Sequence, residues 1–452
     1  MKRLASLLPI AVCLGLAFAP VHAAESPETR NAPLHPNLRG QVARPLRYHP
    51  EGADFVIDNG TEFFNRSLYG GNDAFRVDGG DRPEFSLYLP GRGGNLRLGL
   101  RTAAGTLWLH DAADVAMRYR PGELLYEIAD PLLGPEGRIR IAAVAYAASQ
   151  GLGVQIRGEH LPAGAELLFA FGPGNGQKGQ RGGDIGSERV PISEFFQFVP
   201  DFARDTRYDV DERGFVAAGR RATISATTSS PAHVRLADAR LWNDPAALLA
   251  SSPGAGPAVA VGTLPLGDAT IDLALQVTGA ALPARFAPAD LAPSFDAARR
   301  HFSDLRDRVR IDTPDPWLNA AMGALNVAAD AVWDGEQHAI MHGAIAWRMK
   351  LLGWRGPYAL DALGWHERAR ANFGVWTERQ DVSPIPAAPP PADPRANLAR
   401  NEPGLHSNGA MSSSHYDMNL VFVDALLRHL LWTGDVAYAR AVWPVLERHL
   451  AW

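Results

Sequence analysis

The sequence predicts a multidomain chain in which an antiparallel β-sandwich is followed by a helical domain. Short runs of alternating apolar and polar residues recur up to about residue 278, with Gly and Asp clusters between them. Beyond an Ala- and Pro-rich stretch at residues 280–293, the apolar period changes from two to about 3.6. We therefore place a sandwich domain at residues 24–285 and a helical domain at residues 286–452.

The first 23 residues have the three parts of a secretory signal peptide. Two basic residues follow the initiator Met, an apolar run extends from Leu4 to Pro20, and small residues precede a cleavage point after Ala23. We expect the mature chain to be periplasmic or secreted. The single cysteine, Cys13, lies in this segment, so the mature chain has no disulfide, no thiol nucleophile and no Cys-ligated zinc.

The composition excludes several classes of function. A net charge of −5 argues against nucleic-acid binding. Only three lysines occur, one of them in the predicted signal peptide, so Schiff-base and pyridoxal chemistry are disfavoured and no cofactor is expected. No later stretch approaches about 18 uncharged apolar residues, so we expect no membrane span. With 46% apolar residues, the chain has enough apolar side chains for two cores.

The predicted strands follow one another without intervening helices, which is typical of an antiparallel sandwich. They lie at residues 54–58, 84–90, 95–101, 106–111, near 117, 123–128, 138–147, 153–161, 165–172, 214–216, 222–228, 233–236 and 270–278.

The predicted helices lie at about residues 294–309, 315–333, 337–352, 358–373, 415–432 and 435–452. In the fourth, Pro357 suits the first helical position, and Asp361, Trp365 and Arg368 would share one face at i, i+4 and i+7. The last pattern reaches Trp452 without Gly or another stop signal, so we expect a fragment of a longer domain.

Two segments, MHGAIAWRMKLLGWRGPYALDALGWHERA (Met341–Ala369) and SHYDMNLVFVDALLRHLLWTGD (Ser414–Asp435), carry a family resemblance. They resemble a group of secreted bacterial proteins in the six-hairpin glycosidase superfamily, near the β-L-arabinofuranosidases of pectin breakdown. The resemblance implies that the helical domain is part of an (α/α)6 toroid. A full toroid has about twelve helices, and the six predicted here would supply half of one.

Glycoside hydrolysis requires two carboxyl groups, one to protonate the leaving oxygen and one to act as base or nucleophile. We assign the candidate catalytic roles to Asp361, together with Glu336 or Asp417. Each has a structural alternative. Asp361 would also suit a helix N-terminus, Glu336 lies at a turn before a predicted helix, and Asp417 follows Ser414 in a capping-box spacing.

Aromatic, basic and imidazole side chains nearby are the candidate sugar contacts, because rings stack on sugars and polar groups bind hydroxyls. They are Trp354, Arg355, Tyr358, Trp365, His366, Arg368, His338, His342 and His415. Each Trp has core packing as its alternative. His338 and His342 have the i, i+4 spacing of metal ligands, but one turn supplies only two ligands. We therefore favour hydrogen bonding to sugar hydroxyls, or a structural role in the core, and predict no metal site.

The function that this pattern favours is a glycoside hydrolase acting on polysaccharide or oligosaccharide side chains, such as arabinofuranosides or rhamnosides. The partner would be a carbohydrate substrate. A polysaccharide lyase using Tyr358, His366 or Arg368 on a uronate is the first alternative, although lyases of this architecture place the toroid before the sandwich. A non-catalytic glycan-binding protein is the second.

Overall fold

The computed structural model describes residues 46–177, 192–279, 282, 284–344, 348, 350, 356–384, 387 and 416–451, with the side chains of residues 192, 356 and 416–418 outside the description. The chain divides into two compact units, Met1–Tyr48 and His49–Trp452. All the elements below belong to the second unit. The predicted signal peptide at residues 1–23 lies outside the described residues.

Twenty strands occur in the described residues. They are β1 (His49–Glu51), β2 (Asp54–Asp58), β3 (Arg66–Tyr69), β4 (Arg76–Gly79), β5 (Glu84–Tyr88), β6 (Arg92–Thr102), β7 (Gly105–Trp108), β8 (Asp114–Arg120), β9 (Glu123–Ala129), β10 (Arg138–Ala145), β11 (Gly151–Glu159), β12 (Glu166–Gln177), β13 (Arg207–Asp211), β14 (Gly214–Ala218), β15 (Thr223–Thr228), β16 (His233–Asp238), β17 (Ala258–Pro265), β18 (Ile271–Thr278), β19 (Trp333–Asp334) and β20 (Ala339–Ile340).

The first eighteen strands form two large antiparallel sheets. A ten-stranded sheet has the order β1-β2-β8-β9-β10-β11-β18-β15-β14-β13. An eight-stranded sheet has the order β16-β17-β12-β6-β5-β4-β3, with β7 also paired to β6. The prediction of a large antiparallel β region is therefore confirmed. The sequence missed β1, β3, β4, β13 and β17, most of which are short or lie at or beside a sheet edge.

Aromatic side chains from the two sheets meet in the core between them. Phe85 of one sheet packs edge-on to Tyr126 of the other at a centroid distance of 6.1 Å, and Phe171 stacks on Phe215 at 5.4 Å. The Tyr126 hydroxyl donates to the Gly80 carbonyl at 2.8 Å. Burying each Phe contributes about 1.5–3 kcal/mol.

Eight α-helices occur in the described residues. They are α1 (Ile192–Phe195), α2 (Pro245–Ala250), α3 (Leu291–Arg306), α4 (Pro316–Ala331), α5 (Gly356–Ala362), α6 (His366–Thr377), α7 (Tyr416–Thr433) and α8 (Val436–Ala451). None of the helices in the described ranges is long and apolar enough to cross a membrane.

Helix α3 packs its apolar face on the outer face of the ten-stranded sheet. Phe295 and Ala298 of the helix form one cluster with Val144 of β10 and Ala274 of β18. The helical region is therefore built directly onto the sandwich.

The predicted helix at residues 337–352 is wrong for the part that the structure describes. Strands β19 and β20 form a tight antiparallel hairpin there, pairing Trp333 with Ile340. An Asp334 side-chain oxygen accepts the Gln337 backbone N–H at 2.9 Å, and His338 has a φ of 49°. The Asp334-Gly335 pair and the left-handed backbone of His338 close the turn, because both features favour a turn over a helix.

The predicted helix at residues 358–373 is interrupted. Helix α5 ends at Ala362, Gly364 adopts a φ of 72°, and α6 begins at His366. Gly tolerates this left-handed geometry and commonly ends helices. The stripe proposed for Asp361, Trp365 and Arg368 therefore does not exist as one helical face.

Two successive helical pairs, α5–α6 and α7–α8, lie side by side. Tyr358 and Asp361 of α5 bond to Asp424 and His429 of α7 in the same order along the chain. Arg370 of α6 reaches Asp435, just before α8, while Gln380, just beyond α6, reaches the Val445 carbonyl. Helix α5 is therefore parallel to α7, and α6 is parallel to α8, as in a ring of hairpins. The toroid expectation is met only in part.

Candidate functional site

The Asp361 carboxylate lies at the centre of a buried polar group between the two helical pairs. Its Oδ1 atom is 2.9 Å from His366 Nδ1 and 2.9 Å from His429 Nδ1. Asp361 is 2% exposed and His429 is fully buried, whereas 41% of the His366 side chain is accessible. Only one member of the group therefore reaches solvent.

The turn between α5 and α6 brings Asp361 and His366 together. The Trp365 N–H donates to the Leu360 carbonyl at 2.7 Å, and the Gly364 N–H donates to the Asp361 carbonyl at 3.0 Å. These bonds fold the chain back within five residues, so the first side chain of α6 faces the last turn of α5. Helix α7 then supplies His429 from 68 residues further on.

Aromatic rings surround the buried imidazole. The ring of His429 lies 5.5 Å from that of Phe373 and 5.6 Å from that of Tyr438. Its Nε2 atom is buried and has no hydrogen-bond partner among the described residues. With both histidines neutral, each Nδ1–H donates to Asp361, and the carboxylate accepts two hydrogen bonds in a dry environment. The same three side chains are the ones in the described residues that could hold a metal ion.

A second polar network lies one turn earlier on the same two helices. The Tyr358 hydroxyl donates to Asp424, and Arg428 pairs with Asp424 at 3.0 Å. Burial and the hydrogen bond to Asp424 raise the pKa of Tyr358 to about 12. The Tyr358 hydroxyl, helped by the Arg428 guanidinium, holds the pKa of Asp424 below its usual value. Asp424 is therefore an ionised carboxylate at neutral pH.

Trp365 is enclosed by two guanidinium groups. The Arg308 and Arg368 carbons lie 4.9 and 4.8 Å from its ring centroid, and the ring also packs beside Phe302 of α3. Arg308 donates to the Leu363 carbonyl at 2.6 Å as well. Cation–π contacts of this kind stabilise the ring in place. The predicted sugar-stacking Trp is thus engaged by the protein itself.

Arg368 joins the helical region to the sandwich. Its guanidinium pairs with Asp330 of α4 at 2.7 Å and donates to the side-chain oxygen of Asn72 at 3.3 Å. Asn72 in turn donates to the Asp330 carboxylate at 3.0 Å, and its carbonyl accepts the Gly335 N–H at 3.0 Å. One sandwich residue thus contacts both α4 and the β19–β20 hairpin.

The hairpin presents two of the predicted residues to solvent. Glu336 and His338 are exposed in its loop, and His342 is exposed just beyond β20. Because no helix forms, His338 and His342 do not share a helix face. Asp334, beside Glu336, is 7% exposed and pairs with Arg348 at 2.9 Å.

The remaining predicted residues lie outside the described side chains. Trp354, Arg355 and His415 are outside the described residues, and Asp417 is described only as part of helix α7.

Sequence reasoning missed His429 and Asn72. His429 follows Phe422 and Leu426 at i+7 and i+3 on the buried face of α7. A polar residue on an apolar stripe is a signal that could have singled it out. Asn72 lies in a Gly-Gly-Asn-Asp turn and carries no comparable signal, because its partners are more than 250 residues away in sequence.

A separate trough of about 740 Å³ lies on the outer face of the ten-stranded sheet. Val56, Leu125 and Ala142 line it as an apolar floor, and Arg140 pairs with Glu127 at 3.4 Å in the adjacent row. The trough therefore has charged hydrogen-bonding side chains beside its apolar floor. It is the alternative place at which a glycan could bind.

Residues 89–299 match the model of a family described as a domain of unknown function (DUF4450). The match runs from just before β6 into α3 and leaves out α4 to α8. No curated protein matches the sequence.

Solved structures give distant similarities. A bacterial glucoamylase complexed with acarbose is 9% identical with a TM-score of 0.46, over 83% of this chain and 62% of that one. The family GH92 inverting mannosidase from Bacteroides thetaiotaomicron is 8% identical with a TM-score of 0.33, over 88% and 61%. The chain spans about three-fifths of the length of each. Similarity at this level does not assign an activity.

Proposed function

We propose that the chain is part of a carbohydrate-active enzyme, a glycoside hydrolase that acts on side chains of polysaccharides or oligosaccharides. The observation that carries this proposal is the group of Asp361, His366 and His429 at the junction of two parallel helical pairs. A buried carboxylate is costly unless it is paired, and His366 and His429 contact this one from two different helices. The sequence resemblance to six-hairpin glycosidases supports the same assignment.

In this proposal Asp361 organises the site and does not touch the sugar. Asp361 is only 2% exposed, and its Oδ1 atom contacts both imidazoles. The accessible His366 imidazole is the group through which Asp361 acts on a bound substrate, and Tyr358 on the same helix supplies a hydroxyl for sugar contacts. Asp361 is thus a positioning residue.

The two carboxyl groups of hydrolysis are then assigned to accessible acids. Asp424 has 53% of its side chain exposed and stays ionised, as a base or nucleophile must. Glu336, exposed in the hairpin loop, is the candidate acid, and Asp417 of α7, whose side chain lies outside the description, is the other candidate. Of these, Glu336 lies on the element that Asn72 fastens to the sandwich.

Turnover of aryl arabinofuranosides and aryl rhamnosides tests the proposal. We expect Asp361→Asn to lose at least about 100-fold in kcat, because the orientation and charge of the imidazole depend on it. Asp78→Asn is the matched control, since Asp78 is an equally buried sandwich carboxylate that pairs with Arg76. We expect it to retain turnover.

Two results would overturn the proposal. Wild-type turnover by a folded Asp361→Asn variant would remove this centre from the reaction. Release of an unsaturated product that absorbs in the ultraviolet would replace hydrolysis by a lyase reaction, with His366 as the proton acceptor.

A further inference from the structure

We propose that Asp361, His366 and His429 bind a divalent transition-metal ion. Two imidazole nitrogens and one carboxylate oxygen converge from three helices, which differs from the expectation of no metal site. Imidazole and carboxylate together suit zinc, iron, cobalt or nickel, and two imidazoles disfavour calcium and magnesium, which prefer oxygen ligands. This inference stands on the donor geometry and requires no sugar substrate.

Two of the three distances between the donor atoms suit an ion, and all three are within 4.8 Å. Both nitrogens lie 2.9 Å from the same Asp361 oxygen. For a metal about 2.1 Å from each atom, that separation corresponds to ligand–metal–ligand angles of about 90°, as for neighbouring positions of an octahedral site. In the metal-free chain the same contacts are N–H···O hydrogen bonds. A bound ion would take the place of the two hydrogens, and each neutral imidazole would then carry its hydrogen on Nε2.

The charge of Asp361 gives a reason for an ion to bind. Its ion-pair partners among the described residues are the two imidazoles alone, with no Lys or Arg. A buried carboxylate without a cation is unfavourable, and a divalent ion would compensate it directly.

The site is also open on one side. Asp361 and His429 form its buried floor, while 41% of the His366 side chain is accessible. An ion would enter from the accessible side of His366, and water or a ligand oxygen would complete the coordination there. Three protein ligands with an open position are the arrangement of catalytic metal sites.

Metal titration of the chelator-treated chain tests the inference. We expect one equivalent of Zn²⁺ to bind and one equivalent of Co²⁺ to give a visible d–d absorption band, while Ca²⁺ gives no heat of binding. Crystals grown with Zn²⁺ should show an anomalous peak about 2.0–2.2 Å from the Asp361 oxygen and the two histidine nitrogens.

His366→Ala is the decisive variant because its side chain is the accessible one, so folding should survive. We expect Zn²⁺ affinity to fall at least about 100-fold, beyond the 10–100-fold that a residue outside the coordination sphere changes. His301→Ala on α3 is the matched histidine control and should bind as the wild type does. His429→Asn, compared with the buried control His449→Asn, repeats the test from the floor of the site.

The inference is wrong if the wild type takes up no Zn²⁺, or if His366→Ala binds it as tightly as the wild type. It is also wrong if the anomalous peak lies elsewhere. Metal binding without any sugar turnover would leave this inference standing and remove the proposed hydrolase. Turnover that is unaffected by chelation, together with no metal uptake, would remove this inference and leave the proposed hydrolase standing.

Discussion

Replacing Asn72 by Ala removes the polar link between the sandwich and the candidate site. The Asn72 side chain donates to the carbonyl and carboxylate of Asp330, each at 3.0 Å, and accepts from Arg368 at 3.3 Å. Two of these three bonds involve charged groups. A neutral bond contributes about 0.5–1.5 kcal/mol and a charged one about 1.5–3. Because these bonds are not additive, we expect a loss of about 2–4 kcal/mol in the free energy of unfolding.

Urea unfolding followed by Trp fluorescence measures this loss. Asn65→Ala is the control, because its longer bonds of 3.3 and 3.4 Å to Glu62 and Asp81 predict a loss below about 1 kcal/mol. We also expect Asn72→Ala to increase hydrogen exchange in the β19–β20 hairpin. The Gly335 N–H bonds to the Asn72 backbone carbonyl, whose position the lost side-chain bonds to Asp330 no longer hold. Equal losses in the two variants, with an unchanged hairpin, would refute the idea that Asn72 fixes this junction.

Three further outcomes can be measured separately. Burial, helped by the Arg97 and Arg82 guanidinium groups, lowers the pKa of His110 from 6.5 to about 3. The unfolded chain therefore binds a proton that the folded chain does not, so stability falls as the pH drops from 6.5 towards 3, by at most about 5 kcal/mol. His110→Gln should flatten the pH dependence of urea unfolding, and an unchanged slope would contradict this. Gly122→Ala should lose about 2–3 kcal/mol in the same assay, because φ is 92° and the new methyl would overlap the Phe302 ring. A loss no larger than that caused by a Gly→Ala change at an unstrained position would contradict this prediction. Expression with the native leader should give a mature N-terminus at residue 24 by Edman sequencing, and an intact leader would refute the signal peptide.

The sandwich was the most predictable part of the fold. Alternation of period two is a local property of a strand with one buried face, and β2 has the predicted bounds Asp54–Asp58. The pairing of β11 with β18 joins residues more than 110 apart. The sequence does not encode such register in any local pattern.

The helical region was less predictable because two short turns override its apolar period. Asp334 and His338 close a hairpin where an amphipathic pattern continues, and Gly364 divides one predicted helix into two. Tertiary contacts decide both cases. Arg308, for example, donates to the carbonyls of Leu363 and Gly364 at the end of α5.

The candidate site shows the same division between local and distant information. Asp361 and His366 were selected from one crowded segment, and the structure places them in contact. Their third partner, His429, comes from α7, and only the packing of α7 against α5 brings it to Asp361. Arg368, selected for sugar binding, also contacts Asp330 and Asn72, and these two partners could not be predicted from the local sequence.

The most direct test of the central claim is a crystal structure of the chain soaked with a side-chain oligosaccharide of arabinose or rhamnose. The account predicts sugar density at the junction of α5, α6 and α7, with a hydroxyl within about 3.2 Å of a ring nitrogen of His366. Sugar bound only in the trough above Leu125 and Ala142, with the His366 side chain still solvated, would contradict it. That result would favour a glycan-binding sandwich.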